Sequence, residues 1–508
     1  MTFFKEKIED REYQNKIFET AKTGNTLVVL PTGLGKTIIS AMLVDYRLEK
    51  YPSSKILFLA PTKPLANQHY RTFSSLLAVN QGVASGSISS SKRSKIYEES
   101  QLIFATPQTI ENDMAKKIID FSDFSLLVVD EAHHAIGNYS YVKIAKTYSE
   151  QSFHPLILGL TASPASDREK IKLICSNLQI SNLEIRSDDD PDVVPYIKKK
   201  YIEEIKVDLP QEMLELANSL KLLISESISE LQDTGLLKNV QKTRINRVTI
   251  LMLQKSLQKQ MFSGKRAYYL IRGIILTSKL LKLYHAYNLL STQSLAAFSN
   301  FLEKIQNGKA KTDKELSSNK RFIEVKKRTD ELLSAGVEHP KLKQLQIIFT
   351  NYFNESKKAI IFAQYRDTVD IIYNSISTIA GVRPIKFIGQ GKGGLSQKEQ
   401  VNIIRDFESG LYNVLVSTSV SEEGISIKGV DLAVFYETIP SAIRNIQRRG
   451  RVGRFSAGRI FILITRGTND EGYYWISKRR ERTMKKIVKN IKENPDTIKQ
   501  DGTLHPFI

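Results

Sequence analysis

The sequence L-V-V-L-P-T-G-L-G-K-T, from Leu27 to Thr37, joins an apolar run to a glycine loop and then to a helical pattern. Leu27 to Leu30 have the length and β-branching of a buried parallel strand. Beyond Pro31 the apolar residues Ile38, Ile39, Ala41, Met42 and Leu43 recur at helical spacing. A strand, a glycine turn and a helix start together make a phosphate cradle. Gly33 and Gly35 let backbone N–H groups approach an anion with no Cβ in the way, and the helix adds the positive end of its dipole. Thr32 and Leu34 complete the loop; Lys36 would reach the β- and γ-phosphates of ATP, and the Thr37 hydroxyl would ligate Mg²⁺. Leu30 stands where the usual G-x-x-x-x-G-K-[ST] string has its first glycine.

Upstream by about one helix lie Arg11, Tyr13 and Gln14. An amide such as Gln14 can read an adenine edge bidentately, with Tyr13 or Arg11 supplying a planar surface. Downstream, four more apolar runs end in polar clusters: Lys55–Ala60 at Pro61-Thr62-Lys63-Pro64, Leu102–Ala105 at Thr106-Pro107-Gln108, Leu126–Val129 at Asp130-Glu131-Ala132-His133, and Leu156–Leu160 at Thr161-Ala162-Ser163. Strands that alternate with helical spacings form a doubly wound parallel sheet, with ligands gathered at the strands' carboxyl ends. Asp130, directly after a buried strand, suits a carboxylate that holds Mg²⁺ through water, and Glu131 beside it suits activation of an attacking water.

P-T-G-L-G-K-T, A-P-T-K-P-L at 60–65, A-T-P-Q-T at 105–109, D-E-A-H at 130–133 and T-A-S at 161–163 resemble, in this order, the motifs of superfamily 2 helicases. T-P-Q-T-I-E-N-D at 106–113 and D-E-A-H-H-A-I-G-N-Y at 130–139 resemble more narrowly the archaeal Hef helicase and its Fanconi-anaemia M relatives. That family commonly has Arg where this chain has His134.

Composition sets the frame. The 508 residues suffice for roughly three domains. A net charge of +20 favours a polyanionic partner. No apolar run is long enough to cross a bilayer, and no signal peptide opens the chain, so the expected location is cytoplasmic and nucleoid-associated. One cysteine, Cys175, excludes an internal disulfide and a Cys₄ zinc site.

The strand–helix alternation stops near Pro191 and Pro195. From Gln211 to about Ser334 the periodicity is helical, and no Asp or Glu occurs between Asp233 and Glu303. Lys238, Lys242, Arg244, Arg247, Lys255, Lys259, Lys265, Arg266, Arg272, Lys279 and Lys282 fall in that interval. Such a stretch either repels itself or meets phosphate. Tyr268, Tyr269, Tyr284, His285 and Tyr287 are interleaved with these cations, with the core as the default place for most of them. Asn307–Lys320 reads as a mobile loop. The resemblance implies that this helical insertion helps to grip branched DNA.

Alternation resumes after Pro340, with strands at Ala359–Ala363, Asn413–Val416, Leu432–Phe435 and Ile460–Ile464. Ile446–Arg454 carries four arginines in seven positions about Gly450 and Gly453. By resemblance Gln447 faces the γ-phosphate while Arg451 and Arg454 stabilise the transferring phosphoryl group. Val416–Ile425 resembles the segment that links strand contacts to the ATP site; Gly424 belongs to it, and Ser426 stands where an Asp usually contacts ribose. The resemblance also implies a nucleic-acid track built by Thr62, Lys63, Thr106 and Gln108 on one sheet and Gln364, Gln390, Thr418 and Ser419 on the other. Lys478–Lys492 reads as a basic helix with a solvated or DNA-facing side.

The expected architecture is α/β: two RecA-like doubly wound parallel-sheet domains, 1–195 and 341–485, an all-helical insertion at 196–340 and a basic tail at 486–508. The expected activity is that of an ATP- and Mg²⁺-dependent helicase or translocase on forked, branched or single-stranded DNA, with 3′-to-5′ polarity and a nuclease or sliding-clamp partner acting in trans. No E-R-K-x-x-x-D cluster follows the motor, so a form lacking the family's nuclease is expected. The rival readings are a double-stranded-RNA-dependent ATPase of the RNA-sensor or Dicer type and a DNA-binding platform without activity.

Overall fold

A computed structural model describes residues 2–162, 167–197, 199–237, 240–241, 245–263, 268–389, 394–418, 429–441 and 458–493. The amino-terminal third is a seven-stranded parallel sheet of β1 (Thr26–Val29), β2 (Lys55–Leu59), β3 (Gln81–Ala84), β4 (Leu102–Ala105), β5 (Phe124–Val129), β6 (Ile157–Thr161) and β7 (Asn182–Ile185). The spatial order is β3-β4-β2-β5-β6-β1-β7. Helices α1 (Glu12–Thr23), α2 (Lys36–Lys50), α3 (Lys63–Leu76), α4 (Ser90–Glu99), α5 (Pro107–Ala115), α6 (Ser140–Gln151) and α7 (Arg168–Asn177) connect the strands. Side chains of alternate parity on the strands feed two apolar cores, one on each face, as a parallel sheet covered on both sides requires. The edge strands β3 and β7 escape the hydrophobic pattern because each is short and half-exposed.

The second sheet contains β8 (Lys200–Val207), β9 (Ala359–Phe362), β10 (Pro384–Phe387), β11 (Val414–Ser417), β12 (Leu432–Phe435) and β13 (Gly458–Thr465), in the order β10-β11-β9-β12-β13-β8. Here β8 corrects the sequence reading. Residues 200–207 were expected to open the helical insertion, but they pair in parallel with all of β13 as the sheet's edge. Being exposed on both faces, β8 shows neither burial alternation nor a continuous apolar run.

Between β8 and β9 the chain forms α8 (Gln211–Asp233), α9 (Arg247–Phe262), α10 (Tyr268–Thr292), α11 (Leu295–Gln306), α12 (Lys311–Ser317) and α13 (Lys320–Ser334), which share one apolar core. α14 (Pro340–Tyr352), α15 (Arg366–Ser377), α16 (Gln397–Glu408) and α17 (Asn469–Glu493) complete the described helices, none of which is long and apolar enough to cross a membrane. The expected loop at 307–320 is largely α12, whose Thr312, Asp313 and Leu316 are buried. Acids from neighbouring helices meet part of the acid-free interval: Arg272 pairs with Glu230 and Glu315, Lys279 with Glu230, and Lys282 with Asp313.

A buried polar junction joins this bundle to the second sheet. Lys341, fully buried, pairs with Asp470 at the start of α17 and donates to Tyr436 O at 2.8 Å and Thr292 O at 3.1 Å. The Tyr436 hydroxyl donates to Gln293 O at 2.7 Å, and Thr368 donates to Gln293 Oε1 at 2.9 Å. α17 leaves this junction along β13 and carries Ile487, Val488 and Ile491 into the core of the first sheet, where Lys492 meets Asp190. It is therefore not the solvated helix that its lysines suggest.

His339, also fully buried in the junction, has its pKa pushed down to about 3, first by burial and then by the charge of Lys341. Its Nε2 lies 3.2 Å from Ser291 O, while Nδ1 accepts the Lys341 N–H. The unfolded chain, with an ordinary histidine near 6.5, binds the extra proton between those values, so stability falls as pH falls below about 6.5. At pH 5 the loss from this group is on the order of 2 kcal/mol. His339→Asn, which keeps a capping side chain, should flatten the melting temperature's dependence on pH between 7 and 5; an unchanged slope would remove His339 as its source.

Candidate nucleotide and nucleic-acid sites

The loop after β1 is built for close approach. Gly33 and Gly35 adopt φ of 86° and 81°, a region that L side chains rarely enter. A Cβ on Gly35 would lie 2.3 Å from Gln14 Nε2. That amide nitrogen donates to Leu34 O at 3.1 Å, and the Tyr13 hydroxyl donates to the same carbonyl at 2.8 Å. Tyr13 is fully buried and offers no face for stacking, contrary to one of the sequence options. Arg11 instead lies over the Tyr196 ring at 4.9 Å. An open cavity of about 520 Å³ borders Gln14 and is lined by Ile8, Glu9, Asp10, Asn15 and Met42. Lys36 Nζ donates to Leu30 O at 3.0 Å across the loop, and Thr32 and Thr37 are partly exposed around it.

The acidic pair stands at the end of β5, one strand (β6) away from β1. Asp130 Oδ2 lies 2.8 Å from His69 Nε2, and Oδ1 accepts the Glu131 N–H at 3.0 Å. The Tyr141 hydroxyl donates to Asp130 O at 2.8 Å. Burial pushes the Asp130 carboxyl up, but the His69 hydrogen bond, the His69 and Lys36 charges and the Glu131 amide outweigh it and hold it below the usual carboxylate range. Glu131 sits at φ 48°, a strained position of the kind that collects at functional sites. Its Oε2 is 3.3 Å from His133 Nδ1, which lies 3.2 Å from Thr161 Oγ1 at the end of β6. The donor set for a metal, the Thr37 hydroxyl and the Asp130 carboxylate, is all oxygen and sparse; no cluster of three or more His, Cys, Asp or Glu exists among the described residues. That fits Mg²⁺, which keeps its waters and shares substrate phosphates.

The other half of the same sheet carries the expected track. Thr62 and Thr106 precede the first turns of α3 and α5, after the adjacent strands β2 and β4. The Thr62 hydroxyl is buried without a hydrogen-bond partner, Lys63 Nζ donates to Ser87 Oγ at 2.7 Å, and Gln108 is exposed. Two helix N-termini side by side favour an anion. In the second sheet, Gln364 is exposed after β9 and Thr418 is buried after β11. Arg247 is exposed at the start of α9. Lys242, Arg244, Gln390, Ser419, Gly424, Ser426, Gln447, Arg451 and Arg454 lie outside the described residues.

Sequence reasoning missed three positioning elements. His69 occupies the buried face of α3 with Ala66 and Phe73, a polar residue at a core position of an amphipathic helix. The loop from Ser85 to Ser89 follows the unrecognised β3 and receives Lys63. Arg93 binds Asp113 through Nε at 2.6 Å, and Tyr97 donates to the same carboxylate at 2.6 Å, tying α4 to α5.

Three family models cover most of the chain: "Type III restriction enzyme, res subunit" over residues 7–166, "Putative ATP-dependent RNA helicase, helical bundle" over 212–339, and "Helicase conserved C-terminal domain" over 340–456. Two parallel sheets with a helical bundle between them and a glycine phosphate loop on the first thus have the architecture of a superfamily 2 helicase. The solved helicase domain of Pyrococcus furiosus Hef matches 94% of this chain and 100% of its own at 40% identity, with a TM-score of 0.68. The chain belongs to the Hef helicase family. A Methanocaldococcus jannaschii protein, named with the same RNA-helicase description, is 39% identical over 95% of this chain and 61% of its own length. The Schizosaccharomyces pombe ATP-dependent DNA helicase fml1 is 31% identical over 91% and 57%. The Mus musculus Fanconi anemia group M protein homolog is 30% identical over 96% and 26%. The chain thus spans about a quarter to three fifths of these relatives' lengths.

Outer contacts of this kind usually weaken metal affinity or activity 10–100-fold when removed. His69→Phe, which keeps a buried ring but has no N–H, is expected to weaken nucleotide binding by about that factor with Mg²⁺ present and not in EDTA. His69→Gln should recover most of it. Equal binding by all three proteins, read by a fluorescent nucleotide, would show that His69 only fills space.

Proposed function

We propose that this chain is a nucleic-acid motor: an ATP- and Mg²⁺-dependent DNA helicase or translocase acting on forked or branched DNA in repair, with 3′-to-5′ polarity. The observation that carries the reading is the division of the first sheet. Its β5-β6-β1 end holds the phosphate loop and acidic pair, while its β3-β4-β2 end holds two neighbouring helix N-termini, Lys63 and an unpartnered threonine hydroxyl. A nucleotide and a polyanionic strand thus share one rigid element. DNA as the substrate is supported by the S. pombe relative, named a DNA helicase. Mg²⁺, held by Thr37 and Asp130, would neutralise phosphate charge.

In this reading Lys36 binds the β- and γ-phosphates, with Thr32, Gly33, Leu34 and Gly35 lining the cradle, and Glu131 orients the attacking water. Gln14 and Arg11 flank the base, and Gly424 and Ser426 reach the ribose side. Gln447, Arg451 and Arg454 arrive from the second sheet, so hydrolysis requires closure of the two sheets and converts it into motion. Thr62, Lys63, Thr106, Gln108, Gln364, Gln390, Thr418 and Ser419 hold the strand, and Lys242, Arg244 and Arg247 extend it onto the insertion. A nuclease or sliding clamp is the kind of partner that would act in trans on the product.

Lys36→Ala should abolish phosphate release while nucleotide-free DNA binding survives; substantial turnover would show that the phosphate loop is misassigned. Arg451→Ala and Arg454→Ala should lower turnover by up to about 10³-fold or more with ATP affinity better preserved. Loss of DNA binding alone would make them a basic patch. RNA is the second reading, favoured by the printed descriptions of the bundle model and the Methanocaldococcus relative. ATP hydrolysis measured across single-stranded, duplex, forked and four-way DNA and matched RNAs separates the two.

A further inference from the structure

α9 is apolar on two opposite faces. Ile250 and Leu257 are buried against the bundle. Val248, Leu251, Met252 and Phe262 are 59%, 42%, 67% and 92% exposed, at spacings that put them on one outward stripe about 100° wide. Exposed Lys255 and Lys259 stand in the same stripe. α10 runs back beside α9: Tyr284 donates to Ile245 O at 3.1 Å, and Gln254 donates to Ser278 at 2.8 Å. Phe262, the last residue of α9, and Tyr268 and Tyr269, the first of α10, therefore share the hairpin's free end; the tyrosines are 83% and 47% exposed. Eight of the twenty-one large hydrophobic side chains exposed among the described residues fall between Val248 and Ile271. A patch of that density on one element marks an interaction site.

Charge narrows the occupant. The acids packed around this hairpin, Glu230, Asp313 and Glu315, are engaged by Arg272, Lys279 and Lys282. Arg247, Lys255 and Lys259 have no carboxylate within ion-pair distance among the described residues. The partner must therefore bring negative charge and flat apolar surface together. An unpaired nucleotide chain brings both at every residue, a phosphate for a lysine and a base face for an aromatic ring. A duplex hides its base faces in the stack. A protein helix covering the aliphatic stripe would leave unexplained why the most exposed rings sit at the hairpin's end.

We propose that the free end of the α9–α10 hairpin is a stacking platform for unpaired bases at the branch point of forked DNA, with Lys255 and Lys259 holding the phosphates that lead to it. The inference rests on the DNA-motor reading and adds to it the residues that tell a fork from a linear duplex. Stacking needs no base-edge hydrogen bonds, so the platform selects unpaired structure and not sequence.

The test uses the full chain and a fork with 2-aminopurine at the unpaired nucleotide next to the branch. The wild-type protein should quench its fluorescence. Phe262→Ser/Tyr268→Ser/Tyr269→Ser should lose the quench and bind the fork about tenfold or more weaker, with linear-duplex affinity and helical content unchanged. Hydrolysis at saturating single strand should keep its kcat. Lys255→Gln/Lys259→Gln should lower the log–log salt slope of fork binding by roughly 0.7–0.9 per lost contact. Wild-type quench and fork affinity in the triple variant would overturn the inference and give the patch to a protein partner. Equal weakening on fork and duplex would overturn it as well. Absence of DNA-stimulated hydrolysis in the wild type would remove the motor reading itself, which separates the two failures.

Discussion

A lysine ammonium without access to water sets how the carboxyl-terminal two thirds of the chain is assembled. Burying a charge is tolerable only when its donors are matched, and breaking such a pair leaves an uncompensated ion in a low dielectric. Lys341 is matched by groups from three separate elements: the end of α10 through Thr292, the end of β12 through Tyr436, and the start of α17 through Asp470. None of these can shift without unpairing the ammonium. The helical bundle is thus fixed to the second sheet at the carboxyl ends of its strands, where Thr438 precedes the segment that carries Gln447, Arg451 and Arg454. Neutral, buried His339 beside it keeps a second positive charge out of the same space.

On the first sheet the two halves are joined by a single helix. α3 begins at the exposed end of the proposed strand track, with Thr62 and Lys63, and two turns later places His69 against Asp130. A displacement of the helix N-terminus by a bound phosphate has a direct mechanical route to the carboxylate that would hold Mg²⁺. A second route runs from Glu131 through His133 to Thr161. Both consist of groups in contact, as coupling between sites requires.

The parts of the fold legible in the sequence are those where burial is complete. β1, β2, β4, β5, β6, β9, β11, β12 and β13 are continuous apolar runs because both faces of a parallel sheet are covered. The strands that escaped notice, β3, β7, β8 and β10, lie at or next to sheet edges, and solvent on one side erases the pattern. The chemistry of Lys36, Asp130 and Glu131 was legible because local spacing alone places it on strand ends. His69, Arg93 and Asp113 were not, since their partners lie 61 and 20 residues away and only the fold brings them together. Likewise the acid-free interval reads as unbalanced charge until α8 and α12 pack against it with Glu230, Asp313 and Glu315. Of its five singled-out aromatic residues, Tyr284, His285 and Tyr287 pack in the bundle, while Tyr268 and Tyr269 do not.

α17 is 25 residues long, a rod of roughly 37 Å, rooted in the second sheet by Asp470 and in the first by Ile491. The two sheets are therefore attached twice, once by the chain running from β7 to β8 and once by this returning rod. One attachment would act as a ball joint, leaving every rotation open. Two attachments define a line through both, and rotation about that line is the motion that stretches neither. The protein's geometry thus turns a loose pair of lobes into a door on two hinges, whose swing has a fixed direction before any ligand arrives.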